Sequence, residues 1–563
     1  MMSLIKLSVG AKPFIECRMA VADGFRKVIL TCLLLAFAIA GQVQGQTTRV
    51  TEDGTVLKQI IIFGRHGIRA PTASLSTLNQ YAADPYPAFS SPPGHLTTNG
   101  ERAAGLLGAY FHDYLVREGL LTGNPETDLA RCYFRANTIQ RSYMTCAKFG
   151  AALIPNANIP VHTYAAGAPD PVIDPLLARV STVDTNLALA QVQGIYGSGD
   201  TLQAALSGEL ALIRHVLFPP GTEPLYPPGT LPTNGPPGTI DPTTLLFALR
   251  ASAPLPQPRP PYFTGNVIDM GGLTTVALYP IDPFVMQYAD GFPIDQVGWG
   301  RFTRDTLSEQ TRIATLQIAV AMRTPYLARV QSSNAGHHIL RSLQRIVEGG
   351  LVDGGFGDPQ SQVLVIISSD YYVAGLAGLL DLHWLLPGYQ SDFCAPGGAL
   401  VFELRQVKMT GHYLVRVFYT AQTFDQLRNL SPLTLAEPPA TMQLTVPGAS
   451  GSFTNLDVDF NTFERLLSNA IDLNSVQPCT NEVPPTILNP YAATNLTSLA
   501  ANAGSSGNTV SLTWPTDHQG WILQAQTNRL GAELWLDVPG SAQVTSIALA
   551  VDPATPAVFY RLR

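Results

Sequence analysis

Residues 60–72 read IIIFGRHGIRAPT, an apolar run followed by one glycine and a cluster of cationic side chains. The apolar run extends over residues 56–63 and has the length and isoleucine content of a central strand that is covered on both faces. Gly64 is predicted to end this strand, because glycine commonly interrupts such runs. The polar cluster therefore follows directly on a buried, rigid element.

Arg65, His66 and Arg69 lie just past the predicted end of the strand. Open α/β sheets bind ligands at the carboxyl ends of their strands, where loops expose polar groups. The planar guanidinium of arginine can donate two parallel hydrogen bonds to the oxygens of a phosphate or carboxylate. A neutral imidazole is a nucleophile near neutral pH. The residues alone leave two interpretations open: a cradle for a tetrahedral anion around a nucleophile, and a solvated turn with a buried histidine.

Composition restricts the class of protein. The chain has 563 residues, of which 46% are apolar and 13% charged, so it is predicted to be globular with two domains or more. Its formal net charge of −7 argues against nucleic acid as a partner, since phosphate-backbone binding needs a basic face. Any anion-binding site must therefore be formed by a local group of basic side chains.

The N-terminus is typical of an export signal. Arg26 and Lys27 precede an apolar run over residues 28–40, and small residues beyond it offer a cleavage site. We predict a signal peptide over residues 1–45, with Met19 as a candidate translation start, and export to a periplasmic or extracellular location. A membrane anchor is the alternative, but the run is short for a bilayer, so no stable membrane insertion is expected after cleavage.

Export makes disulfides available to the cysteines beyond the predicted leader, which are Cys132, Cys146, Cys394 and Cys479. Four cysteines allow three pairings, and both disulfides and buried thiols remain open. The chain contains no HExxH and these cysteines form no CxxC pair, so no zinc site is predicted.

Apolar strands alternate with helical patterns along most of the chain. A second near-continuous apolar run covers residues 363–367, and helical periodicity is clear over residues 100–121 and 326–347. The alternation predicts an α/β fold with a central, mostly parallel sheet flanked by helices. We place this domain at residues 46–480.

Three segments depart from that pattern. Residues 218–263 repeat Pro-Pro-Gly turns and are predicted to belong to an inserted α-helical and Pro-rich cap, as an irregular surface excursion or as a lid over a cleft. Residues 481–507 are rich in Pro, Ser, Asn and Gly and are predicted to be a linker. Residues 508–563 alternate as short strands do and predict a small all-β module, which is either passive or in contact with surface or matrix material.

RHGIRAP at residues 65–71 resembles the RHGxRxP signature of the histidine acid phosphatases, the branch of the histidine phosphatase superfamily that includes bacterial periplasmic phytases and glucose-1-phosphatases. The resemblance continues in LTTNGERAAGLLGAYFHDYL from residue 96, GWGRF at residues 298–302, RTPYLARVQSSNAGHHILRSL from residue 323 and LDLHWLLPGYQSDFCAPGGALVFELR over residues 380–405. The first and third are similar to helices of the family, GWGRF to one of its later helical segments, and the last to its final strand region. Outside the Pro-rich insertion the resemblance covers residues 58–479, and it does not extend to the C-terminal module.

The resemblance implies a role for each residue of the motif. His66 matches the nucleophile that becomes phosphohistidine, and Arg65 and Arg69 match the phosphate-binding arginines. A third family arginine follows a strand and opens a helix, and Arg141 matches it in ANTIQRSYMTCAKFGAAL. Thr72 is a candidate substrate contact. Cationic side chains serve this family where other phosphatases use metals, so the resemblance implies neither a metal nor another cofactor.

The second half of the family's site is a His-Asp pair just past a strand, where the aspartic acid protonates the leaving alkoxide and the histidine binds phosphate. The matching segment, QVLVIISSDYYVAGLAGLL, places Asp370 on the acid and Ser369 on the histidine. A serine donates one hydrogen bond but brings no charge. Losing a charge-assisted contact costs about 1.5 to 3 kcal/mol, so a slower or retuned enzyme is expected.

Other histidines are candidates to replace the missing one. His112 precedes an aspartate inside a long amphipathic helical pattern, where a surface or packing role is expected. His337 and His338 are expected near a helix start, in capping or packing, with substrate contact as the alternative, and His383 is expected in the core.

The sequence therefore predicts an exported acid phosphomonoesterase that acts on a small phosphorylated substrate, such as phytate or a sugar phosphate. Asp370 would protonate the leaving oxygen while His66 takes the phosphoryl group, and water would then hydrolyse the phosphohistidine. Two alternatives stay open: an impaired pseudophosphatase that binds phosphate or phosphosugar, and an attachment protein that acts through the β module.

Overall fold

A computed structural model describes residues 54–165, 168–225, 240–252, 267–350, 352–449, 455–477, 483–487, 499–503, 509–515, 518, 521–526, 535–541, 544–550 and 558–562. The predicted signal peptide, Cys479 and much of the Pro-rich insertion lie outside these residues.

The strands of this part of the chain are β1 (Thr55–Arg65), β2 (Cys132–Ala136), β3 (Pro160–Thr163), β4 (Arg250–Ala251), β5 (Ile268–Asp269), β6 (Val363–Ser368), β7 (Ala399–Val407), β8 (Tyr413–Ala421), β9 (Ala440–Gln443), β10 (Val458–Asp459), β11 (Val483–Ile487), β12 (Ala500–Ala503), β13 (Thr509–Thr513), β14 (Leu523–Gln526), β15 (Leu536–Asp537), β16 (Ser546–Ala550) and β17 (Phe559–Leu562).

The α-helices are α1 (Leu75–Leu78), α2 (Thr98–Arg117), α3 (Pro125–Leu129), α4 (Gln140–Leu153), α5 (Thr185–Tyr196), α6 (Gly199–Ala205), α7 (Ser207–Leu217), α8 (Gly272–Val276), α9 (Asp282–Ala289), α10 (Arg304–Met322), α11 (Pro325–Glu348), α12 (Asp370–Leu379), α13 (Phe424–Arg428) and α14 (Phe460–Ala470). Short 3₁₀ turns cover Asn79–Tyr81, Pro242–Thr244, Ile294–Gly300 and Leu473–Ser475, and a π-helical turn covers Ala277–Ile281.

One large sheet organises the chain, in the order β10-β8-β7-β1-β6-β2-β3-β11, with β9 beside β8. Its centre is parallel, since β1 pairs with β6, β6 with β2, and β2 with β3 in that sense. Antiparallel strands extend it on both sides, β7 next to β1 and β11 next to β3. The predicted α/β class is confirmed, with a parallel centre and antiparallel margins.

β1 lies in the interior of this sheet and is covered on both faces. Ile61 and Phe63 pack into the hydrophobic cluster that contains α11 and α12, whereas Ile60 and Ile62 pack into the cluster that contains α2 and α4. The prediction that Gly64 ends the strand is wrong by one residue, because Arg65 still pairs in register with Ser368 of β6.

The helical cap between β3 and α11 shares the large core of the sheet. Ile213 and Val216 of α7 and Phe284 of α9 belong to the same hydrophobic cluster as α12. In the Pro-rich insertion, residues 226–239 and 253–263 lie outside the described residues, and β4 pairs antiparallel with β5, which follows the insertion. Whether the insertion acts as a lid stays a prediction.

The C-terminal residues form two small antiparallel sheets, β12-β13-β16 and β15-β14-β17. Leu512, Trp514 and Leu523 make up their buried core. The segment predicted to be a linker contributes β11, which adds to the large sheet, and β12, which pairs with β13. Strand β12 lies in the predicted linker and was not predicted, whereas β16 falls within the predicted all-β module.

Two predictions about histidines are wrong. The predicted helix start at His337 and His338 is wrong, because both lie in the middle of α11, which begins at Pro325, and neither caps a helix. The packing alternative holds for His338, which is fully buried with its ring 5.5 Å from that of Phe356. The His383 side chain is 61% exposed, because carboxylates rather than apolar groups surround it: Asp392 at 2.7 Å and Asp381 at 3.2 Å.

His112 and the GWGRF segment were also assigned from the sequence. His112 takes the expected packing role, with Nδ1 2.8 Å from the carbonyl of Leu153. GWGRF was expected in a helical segment, but Gly298 and Trp299 have φ of 53° and 56° and form a left-handed turn that leads into α10.

Cys132, Cys146 and Cys394 are free thiols, so no disulfide forms among the described residues. Burial raises the pKa of each of these thiols, which keeps them protonated and unreactive. Within the ranges that the structure describes, no helix has both the length and the apolar character that a bilayer crossing requires.

Candidate active site

Two polar segments meet at the carboxyl ends of β1 and β6. These strands are parallel neighbours with Arg65 opposite Ser368, and the amide of His66 donates to the carbonyl of Ser368 over 2.9 Å. The strands pack closely beneath them, since a Cβ on Gly64 would lie 2.9 Å from Cδ1 of Ile367. The sheet therefore brings the RHGIRAP segment and Ser369-Asp370 to one place, as expected for strand ends that share an edge.

His66 is buried and lies between cationic side chains. Its Nδ1 is 2.9 Å from the carbonyl of Gly67, so Nδ1 carries the proton and Nε2 keeps its lone pair. Burial holds the pKa of His66 well below its ordinary value, and Arg141, Arg65 and Arg69 lower this pKa further. The imidazole is therefore neutral and nucleophilic even in mildly acidic solution.

Arg65 joins the two segments. Its Nη2 is 2.9 Å from a carboxylate oxygen of Asp370, and Nη1 donates to the carbonyl of Cys394 over 2.5 Å. Its buried Nε–H has no hydrogen-bond partner among the described residues. A buried donor of this kind is costly unless a ligand accepts from it, and an anion beside His66 would do so.

Arg69 is held by a residue that the sequence did not indicate. Nη1 and Nη2 donate to the two carboxylate oxygens of Asp282 over 2.8 and 3.0 Å, and Nη1 also donates to the carbonyl of Ala70. Its Nε–H is likewise buried and lacks a partner within the described ranges. Asp282 lies 213 residues further along the chain, in the cap, so no sequence motif links the two.

Arg141 is the second residue of α4 and is buried. Its Nη1 is 3.3 Å from the carbonyl of Gly94, and it is the charge that lowers the pKa of His66 most. Thr72 is exposed and borders the same glycine: a Cβ on Gly94 would lie 3.5 Å from Arg141 and 3.7 Å from Thr72.

The two serines before Asp370 have different surroundings. Ser368 is fully buried, and its hydroxyl is 3.3 Å from the carbonyl of Gly64. Ser369 is half-buried and occupies the N-cap position of α12, but its side chain makes no capping hydrogen bond. Its hydroxyl is therefore the one in a position to meet a ligand.

Tyr371 is a second residue that sequence reasoning missed. Its hydroxyl contacts the side-chain amide of Gln317 on α10, with an Nε2 to oxygen distance of 2.7 Å. Burial raises the pKa of Tyr371, and the nearby carboxylates of Asp370 and Asp282 raise it further. The ring therefore lies close to both carboxylates that hold the motif arginines.

Within the described ranges, no group of three or more His, Cys, Asp and Glu side chains is arranged to hold a metal ion. The site is thus a set of cationic and hydroxyl donors around one neutral imidazole, with a carboxyl group opposite. Such an arrangement can bind a tetrahedral oxyanion and present a nucleophile and a proton donor to it.

Known proteins share this fold and are similar to this chain in sequence. The chain is 28% identical over 414 residues to phytase AppA of Escherichia coli strain K12, an alignment that covers 71% of this chain and 88% of that protein. It is 28% identical over 427 residues to a glucose-1-phosphatase of Salmonella typhimurium, covering 74% of this chain and 94% of that protein. No family model matches the chain.

A solved structure of Hafnia alvei phytase in complex with tartrate superposes with a TM-score of 0.65 and 25% identity, covering 76% of this chain and 100% of that one. The phytase of Citrobacter braakii gives a TM-score of 0.64 at 24% identity. The chain therefore has a phytase-like fold and is similar in sequence to phosphatases.

Proposed function

We propose that this protein is an exported acid phosphomonoesterase of the histidine acid phosphatase family, in the branch of the periplasmic phytases and glucose-1-phosphatases. One observation carries the proposal: the buried Nε–H groups of Arg65 and Arg69 lack partners in the described structure beside a neutral His66. A phosphate group would satisfy both donors and would meet the nucleophile.

In the first step Nε2 of His66 attacks phosphorus, forming a P–N bond while the bond to the ester oxygen breaks. The leaving oxygen takes the proton of Asp370, and the arginines stabilise charge on the equatorial oxygens. In the second step water attacks the phosphohistidine, the carboxylate of Asp370 accepts a proton from it, and His66 leaves with its lone pair restored. The products are an alcohol and inorganic phosphate.

An acidic optimum follows from these roles. The first step needs a protonated Asp370 together with an unprotonated His66, which are opposite demands on pH. The lowered pKa of His66 brings these demands closer together, because it keeps the imidazole neutral further into the acidic range. Arg65 pairs with Asp370 at 2.9 Å, and a bound phosphate would compete with Asp370 for this arginine.

Ser369 is the reason to keep a second candidate, a phosphate- or phosphosugar-binding protein without turnover. Its hydroxyl replaces a cationic contact, at a cost of about 1.5 to 3 kcal/mol. Nucleophile, three arginines and proton donor remain, and we therefore favour an enzyme with reduced or altered activity. Attachment to surface or matrix material through the residues after 508 would be a separate property.

The deciding experiment assays the purified protein on an artificial phosphomonoester from about pH 3 to 8. Turnover with an acidic optimum, and loss of at least about 10⁴-fold in His66→Ala, are expected because no other group supplies the nucleophile. Phosphate binding by titration without turnover would favour the second candidate. A His66→Ala variant as active as the parent would exclude the mechanism.

A further inference from the structure

The anion cradle, formed by Arg65, His66, Arg69 and Arg141, is in contact with a carboxylate that has no assigned role. Asp282 is the first residue of α9 and directly follows the π-helical turn Ala277–Ile281, in which Pro280 has no N–H to donate. Its side chain is 13% exposed and that of Arg69 is 8% exposed. The cap therefore inserts an acidic side chain next to the anion cradle of the sheet.

The contact between Asp282 and Arg69 determines which edge of the guanidinium stays available. An arginine has five N–H groups. Asp282 accepts from Nη1 and Nη2 over 2.8 and 3.0 Å, and the carbonyl of Ala70 accepts from Nη1 over 3.2 Å. The two N–H groups that remain, on Nε and Nη2, lie on one edge, which is the edge that binds a phosphate through two parallel hydrogen bonds.

The backbone near Arg69 is fixed independently. Arg69 forms an isolated bridge with Leu96, the amide of Ala70 donates to the carbonyl of His95, and that of Thr97 donates to the carbonyl of Ile68. With the main chain held in this way, the torsions of the arginine side chain are the remaining freedom. The bidentate contact with Asp282 removes it.

We infer that Asp282 is a positioning residue: it orients Arg69 so that the Nε edge faces the transferring phosphoryl group, and its charge offsets that of Arg69. This inference rests on the proposed function. An arginine that is out of position stabilises the transition state much less, because this stabilisation depends on accurate hydrogen-bond geometry. Removal of the negative charge, in contrast, strengthens the attraction of the cradle for a resting phosphate.

Asp282→Asn is the test. Its kcat on an artificial phosphomonoester is expected to fall about 10- to 100-fold, because one carboxylate oxygen and the charge are lost. Its inhibition constant for inorganic phosphate is expected to fall about 3- to 10-fold, because Arg69 is no longer neutralised. A smaller folded fraction would reduce apparent kcat but leave that inhibition constant unchanged, so the two readouts separate positioning from loss of structure.

Two further variants act as controls. Asp282→Glu keeps the charge and the two oxygens, and it is expected to restore the phosphate inhibition constant and part of kcat. Asp457→Asn breaks a matched pair, in which Arg416 donates to both carboxylate oxygens over 2.7 Å, two strands away from β1. It should lower the thermal midpoint with kcat and phosphate inhibition unchanged. The inference is overturned if Asp282→Asn behaves like Asp457→Asn.

Phosphate binding can also be measured without catalysis, in the His66→Ala background. Calorimetric titration with inorganic phosphate is expected to show tighter binding when Asp282→Asn is added, and equal affinity would contradict the inference. If His66→Ala retains full activity, the proposed function fails, whereas the titration still reports whether Asp282 controls the anion cradle.

Discussion

The two halves of the candidate site differ in what holds them. The RHGIRAP half sits on a strand buried on both faces, and its arginines are fixed by Asp370 and Asp282. The other half, Ser369 and Asp370, sits at the start of a helix, and Ser369 is half-buried with no capping bond. The first half has the rigidity that anion binding and nucleophilic attack need, while the second contributes a proton and a single hydroxyl.

This difference predicts that the proton donor of the second half, Asp370, matters more for some substrates than for others. Asp370→Asn cannot protonate the leaving oxygen, so turnover of an alkyl phosphate should fall about 10²- to 10⁴-fold. An aryl phosphate with an acidic phenol as leaving group needs little protonation and should be affected much less. The ratio of kcat/KM for the two esters, in parent and variant, measures the effect.

The control for Asp370→Asn is His66→Ala, which should abolish turnover of both esters alike. An equal loss on both esters in Asp370→Asn would instead assign Asp370 to the orientation of Arg65, with which it pairs at 2.9 Å. The proton donor would then have to be sought elsewhere.

A second change restores the missing charge. Ser369→His is expected to raise kcat/KM about 10- to 100-fold at acidic pH, because a charge-assisted hydrogen bond to phosphate replaces a neutral one. Ser368→His is the matched control one residue earlier, where the side chain is fully buried and a bulky imidazole should only destabilise the fold. Steady-state kinetics with thermal midpoints separates the two.

No gain from Ser369→His, in a variant that folds and binds phosphate as the parent does, would mean that the serine does not limit the reaction. The second half of the site would then be adapted to a hydroxyl rather than deprived of an imidazole.

The first half could be predicted from the sequence and the second only in part. A run of isoleucines followed by glycine identifies β1 by local patterning, whereas the role of Arg141 is what the resemblance to the histidine acid phosphatases implies. Asp282 could not be found in this way, because its partner is 213 residues away and the contact depends on how the cap meets the sheet. Tyr371 is adjacent to the proton donor, but only the packing of α12 against α10 shows its environment.

The errors have the same origin. His383 lies in an apolar stretch that predicts burial, yet Asp381 and Asp392 hold its ring at the surface. His337 and His338 follow SSNAG, a pattern typical of a helix start, but α11 continues through these residues because its interior packs against the core. Local patterns determine elements well, whereas tertiary contacts determine which polar groups meet.

The two halves also differ in how they couple folding to pH. In the first half, the lowered pKa of His66 means that the unfolded chain binds a proton that the folded chain does not, so stability declines as pH falls below the ordinary value of 6.5. Behind the second half, the hydroxyl of Tyr372 on α12 donates to Asp174, whose pKa is raised from 3.8 to about 8 by burial and by Asp170.

Asp174 therefore gives the folding stability the opposite dependence on pH. Between about pH 4 and 8 the folded chain keeps a proton that the unfolded chain has released, so stability falls as pH rises, by about 1.4 kcal/mol per pH unit for one whole proton. Asp174→Asn, which cannot ionise, should flatten this part of the profile and stabilise the protein most near pH 8. The free energy of unfolding by denaturant at several pH values measures the slope, with Asp184→Asn as an exposed control. If the slope of the unfolding free energy against pH is unchanged in Asp174→Asn, Asp174 is ionised in the folded protein. The group that accepts from Tyr372 on α12 would then be an anion rather than a neutral acid.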